Sequence, residues 1–293
     1  TALGNNNFVI ASRRDDVNSV TDAGSVMLVS GTTGAQIGST IAGDTRDDRL
    51  GLSSVTALGN NNFVIASRRD DVNSVTDAGS VMLVSGTTGV QIGTTIAGDT
   101  ASDSLGLSSV IALGNNNFVI ASVWDDVNSV VNAGSVMLVS GTTGAQIGTT
   151  QAGDNTGDLI GQSGVTALGN NNFVIASRFD NVNSANDAGS VMLINGATGA
   201  QIGTTIAGDN ANDQLGESSV TALGNNNFVI ASRRDDVNSV TDAGSVMLVS
   251  GTTGAQIGST IAGDTRDDRL GLSSVTALGN NNFVIASRRD DVN

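Results

Sequence analysis

The sequence predicts an all-β fold of tandem 55-residue blades, each a four-stranded antiparallel sheet, and three observations predict it. The marker Ala-Leu-Gly-Asn-Asn-Asn-Phe-Val-Ile-Ala-Ser begins at Ala2, Ala57, Ala112, Ala167, Ala222 and Ala277, a spacing of 55 residues with no insertion. Self-similarity at a fixed period of this size is the signature of solenoids, propellers and arrays. Each copy holds four short runs of β-formers separated by Gly- and Asn-rich turns. Two of those runs are apolar at consecutive positions, so both of their faces require cover. The 293 residues divide into copies 1–55, 56–110, 111–165, 166–220 and 221–275, followed by a partial copy 276–293.

Within Thr56 to Val110 the elements follow in order. Ser53 to Leu58 alternates weakly and reads as a first strand; Gly59-Asn60-Asn61-Asn62 is turn chemistry, and Phe63-Val64-Ile65-Ala66-Ser67 is the second strand. A polar stretch, Arg68 to Asp77, precedes a third strand over Gly79 to Ser85. Gly86-Thr87-Thr88-Gly89 turns the chain into a fourth, Val90 to Ala97, and a polar loop over Gly98 to Gly106 leads to the next copy. Helices are not expected, because glycine recurs too often and Val, Ile and Thr dominate between glycines. Phe8, Phe63, Phe118, Phe173, Phe228 and Phe283 are read as apolar plugs between successive blades. Trp124 and Phe179 stand where other copies carry Arg14 and Arg69, which marks an exposed, variable position. The Asn triplet is read as a tight polar loop, with stacked amide ladders as the alternative.

Composition narrows the chemistry. The chain has no Cys, Pro, His, Tyr or Lys, which removes disulfides, imidazole or thiolate metal sites, Ser-His-Asp and Cys-His nucleophiles and Schiff bases. Its formal net charge is −15, and an acidic surface repels nucleic acid and anionic lipid. No apolar run approaches a membrane span, and no basic-then-apolar leader opens the chain, which starts in mid-pattern at Thr1. Residues 1–73 recur unchanged as 221–293. The expectation is a window cut from a longer array.

Four antiparallel strands per copy, with the central strands covered on both faces, describe a β-propeller-like blade. They describe equally any stack in which sheet lies on sheet about 10 Å apart. A closed ring and an open superhelical array both fit. The identical first and last 18 residues and the lack of capping variants favour the array.

The segments Asp-Arg-Leu-Gly-Leu-Ser-Ser-Val, Asn-Phe-Val-Ile-Ala-Ser-Arg-Arg-Asp-Asp and Ala-Gly-Ser-Val-Met-Leu-Val-Ser-Gly resemble the FG-GAP repeat of integrin-alpha-like β-propellers, in its bacterial extracellular form. The likeness runs through essentially every copy. It places that family's Phe-Gly on Leu50-Gly51, Leu105-Gly106, Ile160-Gly161, Leu215-Gly216 and Leu270-Gly271, and its Gly-Ala-Pro on Ala11-Ser12-Arg13. The family's calcium loop, Asp-x-Asp-x-Asp-Gly, has only Gly4-Asn5-Asn6-Asn7 in its place, so its calcium site is not carried over. The resemblance implies a secreted, cell-surface module that binds a protein or glycan.

Acids concentrate in two loops. One holds Asp15, Asp16, Asn18 and Asp22 and their counterparts Asp70, Asp71, Asn73 and Asp77. The other, Gly-Asp-x-x-x-Asp-x-Leu/Ile-Gly, carries the pairs Asp44/Asp48, Asp99/Asp103, Asp154/Asp158, Asp209/Asp213 and Asp264/Asp268. Calcium takes six to eight oxygens, which makes these ten residues candidate calcium ligands. The alternative is that they cap turns and keep the surface soluble. No catalytic residue and no firm cofactor is assigned, because each acid pair occurs five times in near-identical surroundings whereas an enzyme centre is single. The function expected from the sequence is a structural or adhesive scaffold, stalk or filament whose partner is itself. A discrete binding module, calcium-dependent or not, is the alternative.

Overall fold

A computed structural model describes residues 1–272, 274–287 and 289. The chain forms two compact units, Thr1–Ala152 and Gly153–Asn293. In the first unit, β1 (Asn7–Ser12), β2 (Ser25–Ser30) and β3 (Gln36–Ala42) make a three-stranded sheet. Next come two four-stranded sheets, β4 (Ser54–Ala57) to β7 (Gln91–Ala97) through β5 (Phe63–Ser67) and β6 (Ser80–Val84), and β8 (Ser109–Ala112) to β11 (Gln146–Ala152) through β9 (Phe118–Ser122) and β10 (Ser135–Val139). The second unit repeats the plan with β12 (Gly164–Ala167), β13 (Phe173–Ser177), β14 (Ser190–Ile194) and β15 (Ile206–Ala207), and with β16 (Ser219–Ala222), β17 (Phe228–Ser232), β18 (Ser245–Val249) and β19 (Ile261–Ala262). A two-stranded sheet, β20 (Ser274–Ala277) and β21 (Phe283–Ala286), follows. Every pairing is antiparallel between sequence neighbours. No helix long and apolar enough to cross a membrane occurs among the described residues.

The strands β4 to β7 match the expected ones closely, for the reasons the sequence offered. The Asn triplet closes the first hairpin with Asn61 at φ 68°, a conformation Asn tolerates better than most residues. The fourth strand carries an irregularity opposite Val81 and Leu83, at Gly93 with φ +72°, and such a bulge discourages edge-to-edge pairing. The stretch read only as polar contains a small antiparallel turn: Val72 bridges Val75 around Asn73 and Ser74, both at positive φ. Two central residues at positive φ suit a type I′ hairpin.

Successive side chains of a strand point to opposite faces, and both faces of β5 and β6 are covered. Phe63, Ile65 and Val84 pack with Leu3, Val9, Val26, Leu28 and Leu50 of the first copy. Val64, Ala66, Val81 and Leu83, with Leu105 and Val110 of their own copy, pack with Phe118, Ile120 and Val139 of the third. In the second unit the sheet β16–β19 is enclosed the same way, by Leu168, Val174 and Leu193 on one side and by Val275 on the other. Phe63, Phe118, Phe173 and Phe228 are at most 1% exposed, as plugs should be.

Phe8 and Phe283 are corrections to that expectation, being only half-buried: they belong to sheets of three and two strands, whereas the four buried rings lie in sheets of four. Trp124 is exposed, but Phe179 is half-buried beneath the Arg178 guanidinium, whose Cζ lies 4.5 Å from the ring centroid. The blades are not all equal. The first sheet has three strands, with a single bridge between Ala2 and Phe8 where a fourth would pair, and the fourth strands β15 and β19 shrink to two residues.

Candidate functional site

The loop after each fourth strand delivers its two acids to different environments. Asp44 is exposed, whereas Asp48 is fully buried. The Thr45 N–H donates to Asp48 Oδ2 at 2.6 Å, the Thr45 hydroxyl donates to Oδ1, and the Asp71 N–H of the next copy donates to Oδ1 at 3.1 Å. A buried carboxylate must collect donors of this kind, because losing water without replacement costs several kcal/mol. The arrangement recurs. Asp103 receives Thr100 and Asp126 N–H groups, Asp158 receives Asn155 and Asn181, and Asp213 receives Asn210 and Asp236. In each case one donor comes from the following copy.

A third acid joins each of these four pairs from that same following copy. Asp44, Asp48 and Asp70 offer carboxylate oxygens that lie within 4.8 Å of one another, as do Asp99, Asp103 and Asp125, then Asp154, Asp158 and Asp180, then Asp209, Asp213 and Asp235. The third acid is held by a buried serine: the Ser80 hydroxyl donates to Asp70, and Ser135, Ser190 and Ser245 do the same for Asp125, Asp180 and Asp235. The sequence singled out both loops but not their union, which joins residues 26 positions apart in different copies. The 55-residue spacing of Asp70, Asp125, Asp180 and Asp235 is the signal that marks them as a set.

The fifth pair shows the same division between an exposed and a buried acid. Asp264 is exposed and Asp268 is buried, yet among the described residues neither belongs to a group of three acids. The acid at the matching place, Asp290, lies outside the described residues. Asp268 Oδ2 accepts the Asp264 N–H at 2.9 Å and the Thr265 N–H at 2.7 Å, and its Oδ1 accepts the Thr265 hydroxyl. Asp268 thus closes its own loop as Asp48 does, because a buried carboxylate takes the nearest N–H and O–H donors in place of water.

In each group one or two of the three carboxyls, partly out of water and close to like charge, resist ionisation. Burial pushes the Asp70 carboxyl up to about 6, against the Ser80 hydrogen bond and with Asp48, Asp44 and Asp71 adding repulsion. Burial likewise raises Asp125, Asp180 and Asp213 to about 6, and raises Asp158 and Asp235. A proton relieves the repulsion, and so does a hard cation. Asp48 spends its oxygens on N–H and O–H donors, so Asp44 and Asp70 are the acids with oxygen to spare. Beside the first group lies a cleft of about 370 Å³ between Ile41, Leu50 and Met82 on the apolar side and Asp70 and Asp71 on the other. Clefts of about 250 and 310 Å³ occupy the matching places by Asp125 and Asp235.

Beyond Asp70 and its counterparts, the other acidic loop behaves as turn chemistry. Asp16 Oδ1 accepts from the Asp22 N–H at 2.8 Å and Asp71 Oδ1 from the Asp77 N–H at 2.7 Å, with Asp22 and Asp77 at positive φ. The Asn triplet does more than turn. Asn5 and Asn7 each donate from Nδ2 to the Gly86 carbonyl of the next copy at 2.9 Å; Asn60 and Asn62 do so to Gly141 at 2.8 and 2.9 Å, and Asn170 and Asn172 to Gly251 at 2.9 Å. This is a clamp from amide to backbone, in place of an amide ladder. Gly86 has no room for a side chain, since a Cβ there would lie 1.9 Å from the Asn61 carbonyl oxygen.

A family model described as "Repeat of unknown function (DUF5650)" matches residues 2–45, 57–106, 112–162, 167–217 and 222–265. Its matches follow the five copies, and they replace the FG-GAP family as the one to which the repeats are matched. No curated protein matches the chain. Among solved structures, a protein of unknown function from Bacteroides caccae is 10% identical over 87% of this chain and 79% of its own, with a TM-score of 0.36. The computationally designed Ika8 protein is 14% identical over 99% and 92%, with a TM-score of 0.29. Likenesses at these scores bear on neither fold nor function.

Proposed function

The chain belongs to the family of repeats of unknown function (DUF5650), and on that premise we propose that it is an extracellular structural and adhesive protein. Its stacked blades form a scaffold, stalk or filament at a cell surface, and its principal partners are further copies of the same repeat. The observation that carries this reading is the two-sided burial of β5 and β6, whose outward and inward residues are both covered by neighbouring copies. A 55-residue sheet with two apolar faces cannot hide both by itself, so stability grows by adding neighbours. The extracellular placement rests on the likeness to FG-GAP repeats, and the non-catalytic character on the repetition of every acid group. Melting chains of two, four and six copies tests the reading: the midpoint is expected to climb with copy number, and a flat series defeats it.

The acid groups favour a second reading, an FG-GAP-like binding module for a protein or glycan whose junctions take calcium. Carboxylates from two copies lie within 4.8 Å of one another four times, and calcium would draw first on Asp44 and Asp70 and their counterparts. Here a chelator lowers the melting temperature of the 293-residue chain; a melt unchanged by chelator removes the calcium.

A further inference from the structure

The one glutamate of the chain marks a point where arginines of two successive copies meet. The Glu217 side chain is 5% exposed, with Arg233 Nη2 at 2.7 Å, Arg234 Nε at 3.4 Å and Arg178 Nη1 at 3.7 Å from its oxygens. Arg233 adds a second prong, Nε donating at 3.0 Å, which is the two-pronged fit of a planar guanidinium to a carboxylate. Arg178 and Arg233 occupy the same place in copies 4 and 5, each with its backbone N–H donating to a serine hydroxyl, Ser163 at 3.2 Å and Ser218 at 3.3 Å. One copy earlier Gln162 stands where Glu217 does, and it accepts from Arg178 Nε at 2.8 Å. The residue at this place therefore meets the arginine of the next copy wherever both are polar.

The first unit carries the arginines without the acid. Arg13, Arg68 and Arg69 are the counterparts of Arg178, Arg233 and Arg234, and the Arg68 N–H donates to Ser53 Oγ at 3.2 Å as in the other copies. The counterpart of Glu217 is Leu52, half-buried. Among the described residues no ion pair within 4.0 Å involves Arg13, Arg68 or Arg69; Arg69 acts on Asp47 only through space. The acids next in sequence are engaged elsewhere, Asp70 with the Ser80 hydroxyl and Asp71 with the Asp77 N–H. At the second junction the same two places hold Leu107 and Val123, an apolar pair. The first junction therefore pairs an apolar residue with an arginine; the sequence repeats that pair at Leu272 and Arg288, of which Arg288 lies outside the described residues.

We propose that the junction of copies 1 and 2 is a carboxylate-binding site for a partner protein. An exposed Glu or Asp side chain of the partner sits on Arg13, Arg68 and Arg69 beside Leu52, as Glu217 sits on Arg178, Arg233 and Arg234. The net charge of −15 works against an extended polyanion, whereas a single carboxylate responds to the charges within about one Debye length, ~8 Å at physiological salt. This site is independent of the scaffold reading, since it needs only two adjacent copies.

The test is a titration of the full 293-residue chain, with labelled arginine side chains followed by NMR and resonances assigned through Arg13→Lys and Arg68→Lys. The probes are the peptide acetyl-Gly-Gly-Glu-Gly-Gly-amide, its Gln analogue, and sulfate. The Glu peptide is expected to shift the Arg13 and Arg68 Nε–H signals and the Gln peptide to leave them in place. Leu52→Glu supplies the acid internally and is expected to weaken peptide binding at Arg13 and Arg68 by about tenfold or more, while Glu217→Leu opens an equivalent place in the second unit and raises the stoichiometry by about one peptide per chain. The proposal is overturned if the two peptides behave alike, if Leu52→Glu binds as the parent does, or if sulfate shifts these signals and the Glu peptide does not.

Discussion

The seam and the cleft of one junction sit side by side and obey opposite physics. At the seam between copies 2 and 3, Phe118, Ile120 and Val139 meet Val64, Ala66 and Leu83, all at most 3% exposed. At the edge of the same junction, Asp99, Asp103 and Asp125 are brought within 4.8 Å of one another. Every group at the seam gains by association. Of the acids, Asp103 is met by the Asp126 N–H of the next copy, whereas burial and like charge leave Asp125 favouring a proton. The comparison teaches that apolar burial holds the copies together, while the acids make the joint responsive to its surroundings.

The largest expected effect comes from breaking the seam. Phe118→Ala removes a ring that is 1% exposed and is expected to cost about 3–5 kcal/mol in denaturant unfolding. A loss under about 1 kcal/mol would mean that the strands do not depend on their neighbours. Next comes the Asn clamp. The double change Asn60→Ala and Asn62→Ala strips the Gly141 carbonyl of its two side-chain donors and is expected to cost about 1–3 kcal/mol. Hydrogen exchange should then speed up at the 140–145 turn ahead of the β9–β10 pairing; equal acceleration everywhere would deny the clamp a local role.

The smallest effect sharpens the other side of the comparison. Asp70 and Asp125 have folded values of about 6, raised by burial from the ordinary value of 3.8. The stability they lend is complete below the unfolded value and is lost as pH rises through about 6. The denaturation midpoint is therefore expected to be higher at pH 5 than at pH 7.5. Asp70→Asn, which keeps an acceptor for the Ser80 hydroxyl, should raise the midpoint at pH 7.5 and flatten that difference. If Asp70→Asn leaves the pH dependence untouched, the acids are not the origin of it.

Much of the blade was legible in order of sequence. Phe63 to Ser67 was delimited by its β-formers and by the Asn and Arg residues on either side, and it forms β5 over those same residues. The Asn73-Ser74 turn between Val72 and Val75 was legible in principle, since two residues between valines suit a tight hairpin. The division of labour within each acid pair was not. Asp44 and Asp48 have the same chemistry four residues apart, as do Asp264 and Asp268, and only the fold decides that the first of each pair faces water while the second is buried among N–H donors.

The chain by itself determined the strand segments, their turns and the demand for cover on both faces, because periodicity and backbone preference are properties of neighbouring residues. Tertiary structure alone decided which groups from different copies meet: Asp70 with Asp44 and Asp48, Asn5 with Gly86, Arg233 with Glu217. Those meetings join residues 16 to 81 positions apart, and their energies depend on distances and desolvation that exist only once sheet is laid on sheet.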